Sequence, residues 1–170
     1  MNQDQKAAEL NKEATAAKRQ GDLNKAVRLL REAKRLQGSA YQETRLAKFL
    51  QAAGQVDEAM KEIKWLIDHS HAWSETLFGH QPRSVRRQQQ ASWISRIHRD
   101  AVLIAKRAKR GDLQSVHEAE AARWTEINRK LGASVDRDEA ARRRAWEVAK
   151  SKGAAAIAEF LEKKRNGTLD

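Results

Sequence analysis

The stretch AKRQGDLNKAVRLL, residues 17–30, contains the pattern that decides the fold of this chain. A charged, alanine-rich segment ends at Gly21, Asp22 follows as a good helix N-cap, and apolar residues resume at Leu23. The same arrangement recurs at Gly54-Gln55-Val56 and at Gly111-Asp112-Leu113. The first two glycines, at positions 21 and 54, lie 33 residues apart. A period of that length is typical of stacked helix pairs and not of one compact enzyme core.

The composition predicts an all-α protein. Proline occurs once in 170 residues, at Pro82, and the dominant residues are strong helix formers. Apolar residues recur three and four positions apart, which predicts amphipathic helices, and no stretch alternates in the manner of a strand. We therefore expect about eight helices in stacked antiparallel hairpins. Further helix ends are predicted at Gly132, with Asp136 capping the next helix, and at Gly153.

Three segments are distinguished along the chain. Residues 1–70 show the strongest hairpin pattern, and residues 71–82 form an irregular linker or a short helix that packs Trp73 and Phe78 on the core. Residues 83–170 begin with a long helix that we expect to run to about Arg110, and they continue as basic helical hairpins. We expect the second half of the chain to pack on the first half as one domain.

Small residues occur at matching places in the first two hairpins. An alanine at such a place lets two helix backbones approach closely, and the alanines concerned are Ala14, Ala26 and Ala33, then Ala47 and Ala59. With the glycine turns, residues 5–70 resemble a pair of tetratricopeptide repeats. Leu10 and Glu43 stand where that family usually has an aromatic residue. The resemblance implies a stack of helical hairpins with a binding function.

The same resemblance implies a concave groove, lined by the first helix of each hairpin. Grooves of this kind in the tetratricopeptide family bind extended or helical peptides. The residues that would face the groove here are Asn11, Thr15, Lys18, Tyr41, Thr44, Arg45, Lys48 and Gln51.

The charge is strongly positive and uneven. The net charge is +11 with an isoelectric point near 10.2, and such a field favours polyanionic partners. Residues 1–80 carry 13 Lys and Arg against 11 Asp and Glu, whereas residues 81–170 carry 21 against 12. The two halves therefore present different surfaces, and the basic one lies in the second half.

Two basic clusters are candidates for binding a polyanion. A helical wheel of residues 83–110 places an apolar stripe on one side and cations on the other, with Asp100 as the one acid in that range. The candidate residues of this first cluster are Arg96, Arg99, Lys106, Arg107 and Arg110. Those of the second cluster are Arg142, Arg143 and Arg144. The alternative is a solvated basic surface, which acids across the hairpin such as Glu118, Glu120 and Glu126 would neutralise.

Motifs for catalysis, metals and cofactors are not recognisable in the sequence. Cysteine is absent, and His69, His71 and His80 match no standard metal-ligand spacing, so we expect no metal and no cofactor. The separation of Arg110 and His117 is only loosely similar to that of some helical ribonucleases, and glycine interrupts it. With no apolar leader and no membrane span in the sequence, we expect a cytoplasmic protein that is not an enzyme.

The sequence therefore favours a non-enzymatic scaffold or adaptor that binds a protein or peptide partner. The alternative is a nucleic-acid-binding accessory protein that uses the basic C-terminal half.

Overall fold

A computed structural model describes residues 2–166, and every regular element in that part of the chain is helical. The helices are α1 (Gln3–Arg19), α2 (Leu23–Gln37), α3 (Arg45–Ala52), α4 (Val56–Asp68), α5 (Ser70–Phe78), α6 (Arg83–Arg107), α7 (Gly111–Lys152) and α8 (Ala154–Arg165). A single 3₁₀ turn, Gly38–Ala40, precedes α3. The predicted all-α class with about eight helices is confirmed.

The first two hairpin turns share one backbone geometry. Gly21 and Gly54 have φ angles of +83° and +77°, a left-handed conformation that glycine adopts without the usual steric cost. In each turn, the residue after the glycine donates its N–H to the carbonyl five positions earlier. These bonds join Asp22 to Ala17 and Gln55 to Leu50, each at 2.9 Å. The glycine pattern therefore predicts both turns correctly, because each turn needs a residue that tolerates a positive φ.

The third turn has the same geometry but lies two residues earlier than its glycine. Lys109 takes the left-handed position with φ +56°, and Arg110 donates its N–H to the carbonyl of Ala105 at 3.0 Å. Gly111 is already the first residue of α7, and Asp112 lies inside its first turn. The expectation that Gly111 ends one helix and Asp112 caps the next is therefore wrong.

Helix α7 is continuous through Gly132 and Asp136, so the helix end predicted there is also wrong. A glycine inside a helix costs only about 1 kcal/mol relative to alanine, which packing can offset. A Cβ added at Gly132 would lie 3.1 Å from the side-chain amide nitrogen of Gln88 on α6, so the glycine leaves room for that side chain. Gly153, with φ +94°, does end α7 as predicted.

The core lies between α1–α4, α5 and one face of α6. Its alanines are the small residues of the repeat pattern: Ala14, Ala26, Ala33, Ala47 and Ala59 are each buried. Helix α5 occupies most of the segment expected to be a linker or short helix. Its Trp73 is 4% exposed and stacks on Trp93 of α6 with ring centroids 4.5 Å apart. This stack attaches α6 to the N-terminal hairpins.

Helix α7 extends beyond the core. It has 42 residues against 25 in α6, and only Ala121 and Ala149 are buried in it. Among the described residues, α8 packs on α7 and on no other helix. We call α8 and the part of α7 that extends past α6 the C-terminal arm. Within the described residues, no helix combines the length and apolarity that crossing a bilayer requires.

Candidate binding surfaces

Two adjoining depressions form one groove across α1, α3 and α6. The first, about 440 Å³, is lined by α1 residues together with Glu43 and Arg45. The second, also about 440 Å³, is lined by Glu43 and Arg45 again, by Lys48 and by Arg96 of α6. The depressions adjoin at Glu43 and Arg45, which line both, and we call the two together the α1–α3–α6 groove.

The α1–α3–α6 groove is predominantly basic. Its lining includes five cationic side chains and one carboxylate, and these are Lys12, Arg19, Arg45, Lys48 and Arg96, with Glu43. Arg45 lies 3.4 Å from Glu43, and Lys48 lies 2.8 Å from Asp100. Within the described residues, the other three cations are exposed and have no ion-pair partner. The groove therefore has unneutralised positive charge available to a ligand.

Only some of the residues expected to face a peptide groove line the α1–α3–α6 groove. Asn11, Thr15 and Arg45 line the first depression, and Thr44, Arg45 and Lys48 line the second. Asn11, Tyr41 and Thr44 are buried, with exposed fractions of 9%, 3% and 6%. The Lys18 ammonium group lies 4.5 Å from the centre of the Phe49 ring, and Gln51 is half-buried.

Tyr41 does not line the groove and packs toward α4 and α2. Its ring lies 6.0 Å from Trp65 of α4, and burial raises the pKa of its hydroxyl well above the ordinary value. Lys34 of α2 lies over the Trp65 ring at 3.4 Å and donates to Glu62 of α4 at 2.7 Å. Burial raises the pKa of Glu62, and this ion pair opposes the shift. The sequence gives no sign of this link because its members are distant in the chain.

Asp100 joins α6 to the beginning of α3. Its carboxylate accepts hydrogen bonds from the hydroxyl of Thr44 and from the Lys48 ammonium group, and only 14% of its side chain is exposed. Asp100 therefore neutralises part of the groove from behind and fixes the position of two residues that line it.

The five cations predicted on the far side of α6 are all exposed: Arg96, Arg99, Lys106, Arg107 and Arg110. Arg110 is neutralised by Asp112 through bonds of 3.0 and 2.9 Å, which lower the pKa of that carboxyl group to about 2. Arg99 donates to the Ser95 hydroxyl, whereas Lys106 and Arg107 have no ion-pair partner in the described part of the chain. The basic surface of α6 is thus only partly neutralised.

Acids on α7 do not neutralise this surface from across the hairpin. Glu120 pairs with Arg123 and Glu126 pairs with Arg129, both along α7 itself. Glu118 accepts a hydrogen bond from Gln114 of the same helix. These three acids therefore interact along α7, and the α6 cations are exposed to solvent, as the alternative of a solvated basic surface also expects.

A second basic groove lies where the α5–α6 loop, the start of α6, α7 and the end of α8 meet. Its volume is about 880 Å³, and its cationic lining residues are Arg83, Arg86, Arg142, Lys164 and Arg165. The lining carboxylate, Glu139, already bonds Arg143 at 2.6 Å, which lowers the pKa of Glu139. We call this the arm groove.

An aromatic pocket of about 290 Å³ adjoins the arm groove. Trp146 of α7 and Phe160 of α8 lie with ring centroids 5.2 Å apart, and Leu161, 49% exposed, completes the apolar lining. Arg142, Lys164 and Glu139 line both the pocket and the arm groove, so the two are continuous. Of the predicted arginine cluster, Arg142 and Arg143 line the pocket, whereas Arg144 lines neither cavity.

Two histidines that are far apart in sequence meet between α6 and α7. The Nδ1 atoms of His98 and His117 lie 2.9 Å apart, and burial lowers the pKa of both rings. One ring donates and the other accepts, so the contact requires at least one neutral imidazole. The sequence does not indicate this pair, because the two histidines are 19 positions apart.

In the part of the chain that the structure describes, no three His, Asp or Glu side chains are grouped in a manner that would hold a metal ion. Comparisons with protein-family models, with curated proteins and with solved structures give no match for this chain.

Proposed function

We propose that this chain is a non-enzymatic scaffold whose α1–α3–α6 groove binds an acidic segment of a protein partner. The observation that carries the proposal is that the two depressions of the groove adjoin at Glu43 and Arg45. The groove combines residues of the predicted peptide-binding set, such as Thr15 and Arg45, with Arg96 of the predicted polyanion-binding set. A groove with this charge is complementary to a segment rich in Asp and Glu.

The arrangement of the helices supports the same proposal. Helices α1 and α3 are the first members of the two N-terminal hairpins, and α6 begins the next long hairpin. The tetratricopeptide resemblance implies a groove lined by the first helix of each hairpin, and we propose that these hairpins work in that manner. The buried Thr44 would support the floor of the groove, and the exposed cations would contact the ligand.

The second candidate function is nucleic-acid binding through the outer surface of α6. It is favoured by the exposed Lys106 and Arg107, which have no ion-pair partner in the described residues. Phosphate contacts would make this binding strongly dependent on salt.

The test uses the whole chain and a fluorescent peptide of alternating Glu and Ala, with an alternating Gln and Ala peptide for comparison. The triple variant Lys12→Glu, Arg19→Glu, Arg96→Glu reverses three groove cations that make no ion pair in the described structure. We expect it to weaken acidic-peptide binding at least roughly tenfold, since it replaces attraction by repulsion.

The matched control is Lys25→Glu, Arg28→Glu, Arg35→Glu on α2, which changes the net charge equally at exposed positions outside the groove. We expect this control to retain nearly the original affinity. Equal weakening by the two triple variants would mean that net charge alone attracts the peptide, and the groove assignment would then be wrong. A duplex that binds tightly and depends on Lys106 and Arg107 would instead favour the second candidate.

A further inference from the structure

The C-terminal arm brings together two features that are separate in the sequence, a group of cations and an aromatic pocket. Arg142 and Lys164 line both the arm groove and the pocket formed by Trp146 and Phe160. We infer that the arm groove and this pocket together bind single-stranded nucleic acid. The inference concerns a site separate from the α1–α3–α6 groove and does not depend on the proposed function.

The charge of the arm groove fits a phosphate backbone. Within the described residues, Arg83, Arg142 and Arg165 have no ion-pair partner, and neither has Lys164. Arg86 is held by Glu75 at 3.1 Å, and Glu139 is held by Arg143. Four cations from α6, α7 and α8 therefore converge on one cavity whose carboxylate is already neutralised. Oxygen-rich anions such as phosphates are the ligands that such a site recognises.

The pocket supplies the contact that an unpaired base requires. Trp146 and Phe160 are half-buried, so their rings are anchored by packing but are not sealed inside the protein. Stacking on aromatic rings beside a cationic groove is the general mode of binding single strands without reading their sequence. In a duplex the bases already stack on each other and cannot enter the pocket, so this site selects single strands.

Dimensions are consistent with a short segment of strand. The pocket, about 290 Å³, is the smaller cavity, and the arm groove, about 880 Å³, is large enough for several phosphate and sugar groups. Because Arg142 and Lys164 lie at their junction, they are placed to contact the phosphates that flank a stacked base.

The experiment measures fluorescence anisotropy of labelled oligo(dT) and oligo(rU) of about 15 nucleotides with the whole chain. Trp146→Ala is expected to weaken binding roughly tenfold or more, whereas Trp146→Phe, which keeps an aromatic ring, stays within about threefold. Replacing Arg142 and Lys164 by Gln removes two phosphate contacts. We expect the slope of log affinity against log salt to become shallower by about 1.4.

The matched control replaces Arg137 and Arg144 by Gln. Both are exposed on α7 and line neither cavity, so this variant has the same net charge as the Arg142 and Lys164 variant. We expect it to leave the salt slope nearly unchanged. Far-UV circular dichroism verifies that each variant is folded. If Trp146→Ala disturbs the packing of α8, the glutamine variants still test the site, because they change no aromatic contact.

Several outcomes would overturn the inference. A matched duplex that binds as tightly as the single strand would show attraction by charge without stacking. Equal salt slopes for the two glutamine variants would place the phosphates elsewhere, for example on α6. Displacement of the oligonucleotide by the acidic peptide at the same concentration as unlabelled oligonucleotide would identify the arm as a protein-binding surface.

Discussion

Asp100 offers a test in which stability and binding should change in opposite directions. Its carboxylate accepts hydrogen bonds from Thr44 and Lys48 and is largely buried against the groove floor. Asp100→Asn keeps the shape and one acceptor but removes the negative charge. Hydrogen bonds to charged groups contribute about 1.5–3 kcal/mol, and the amide retains part of this, so we expect a loss of about 1–2 kcal/mol. The corresponding decrease in Tm is about 2–8 °C.

The same substitution should strengthen binding of the acidic peptide. It frees Lys48 and removes an anion close to Arg96, so the positive charge of the α1–α3–α6 groove increases. A gain of about 1 kcal/mol at low salt corresponds to roughly fivefold tighter binding. Salt should reduce this gain, because the liberated ammonium group is partly exposed to solvent.

Thermal unfolding by circular dichroism and peptide anisotropy measure the two effects on one protein sample. Asp112→Asn is the matched control, since it removes one negative charge at an exposed position outside the groove. We expect the control to leave peptide affinity unchanged. A folded Asp100→Asn variant that binds the acidic peptide no better than the control would refute the placement of the ligand over α3 and α6.

Two further predictions concern α6 and the turn that follows it. His98 and His117 have folded-state pKa values below the ordinary 6.5, so the unfolded chain binds more protons. The stabilisation from these neutral rings should therefore be fully present above about pH 6.5 and should be lost as the pH falls below it through the lowered folded-state pKa values. Urea unfolding across this range measures the loss, and a His98→Gln, His117→Gln variant that shows the same pH dependence would contradict the assignment. Lys109→Gly should stabilise the chain by about 1 kcal/mol, because it relieves a left-handed conformation at φ +56°. Its converse, Gly21→Lys, should destabilise the chain, because it places a side chain at φ +83°. A lower Tm for Lys109→Gly than for the original chain would contradict the idea that the third turn carries this steric cost.

The sequence predicts local features of the fold at positions whose conformation or packing requires one particular residue type. Gly21 and Gly54 stand at positions with positive φ, and the alanines that face other helices are buried. The third turn shows the limit of that reasoning. Lys109 adopts the same conformation at a steric cost, and Gly111 two residues later begins a helix. A glycine permits a turn, but packing of α6 on α7 decides where the turn lies.

The sequence predicts only part of the proposed binding surfaces, because these surfaces also depend on contacts between helices. Exposure of Arg96 and Lys106 follows from a helical wheel, because only one helix is needed to predict it. Contacts between elements do not follow from periodicity. Trp146 meets Phe160 only because α8 folds back on α7, and His98 meets His117 only because the third turn brings their helices together. The arm pocket therefore could not be assembled from single residues.

The pattern of ion pairs shows which cations are available to a ligand, and net charge alone does not. Arg129 and Arg143 have carboxylates three or four positions earlier on α7 and bond them, so their charge is neutralised locally. Arg96 has Asp100 four positions later, the same spacing, yet that carboxylate bonds Thr44 and Lys48 instead. A tertiary contact thus occupies the carboxylate that would otherwise pair with Arg96 within α6. Arg96 is thereby left without an ion pair in the described part of the chain, at the place where it lines the α1–α3–α6 groove.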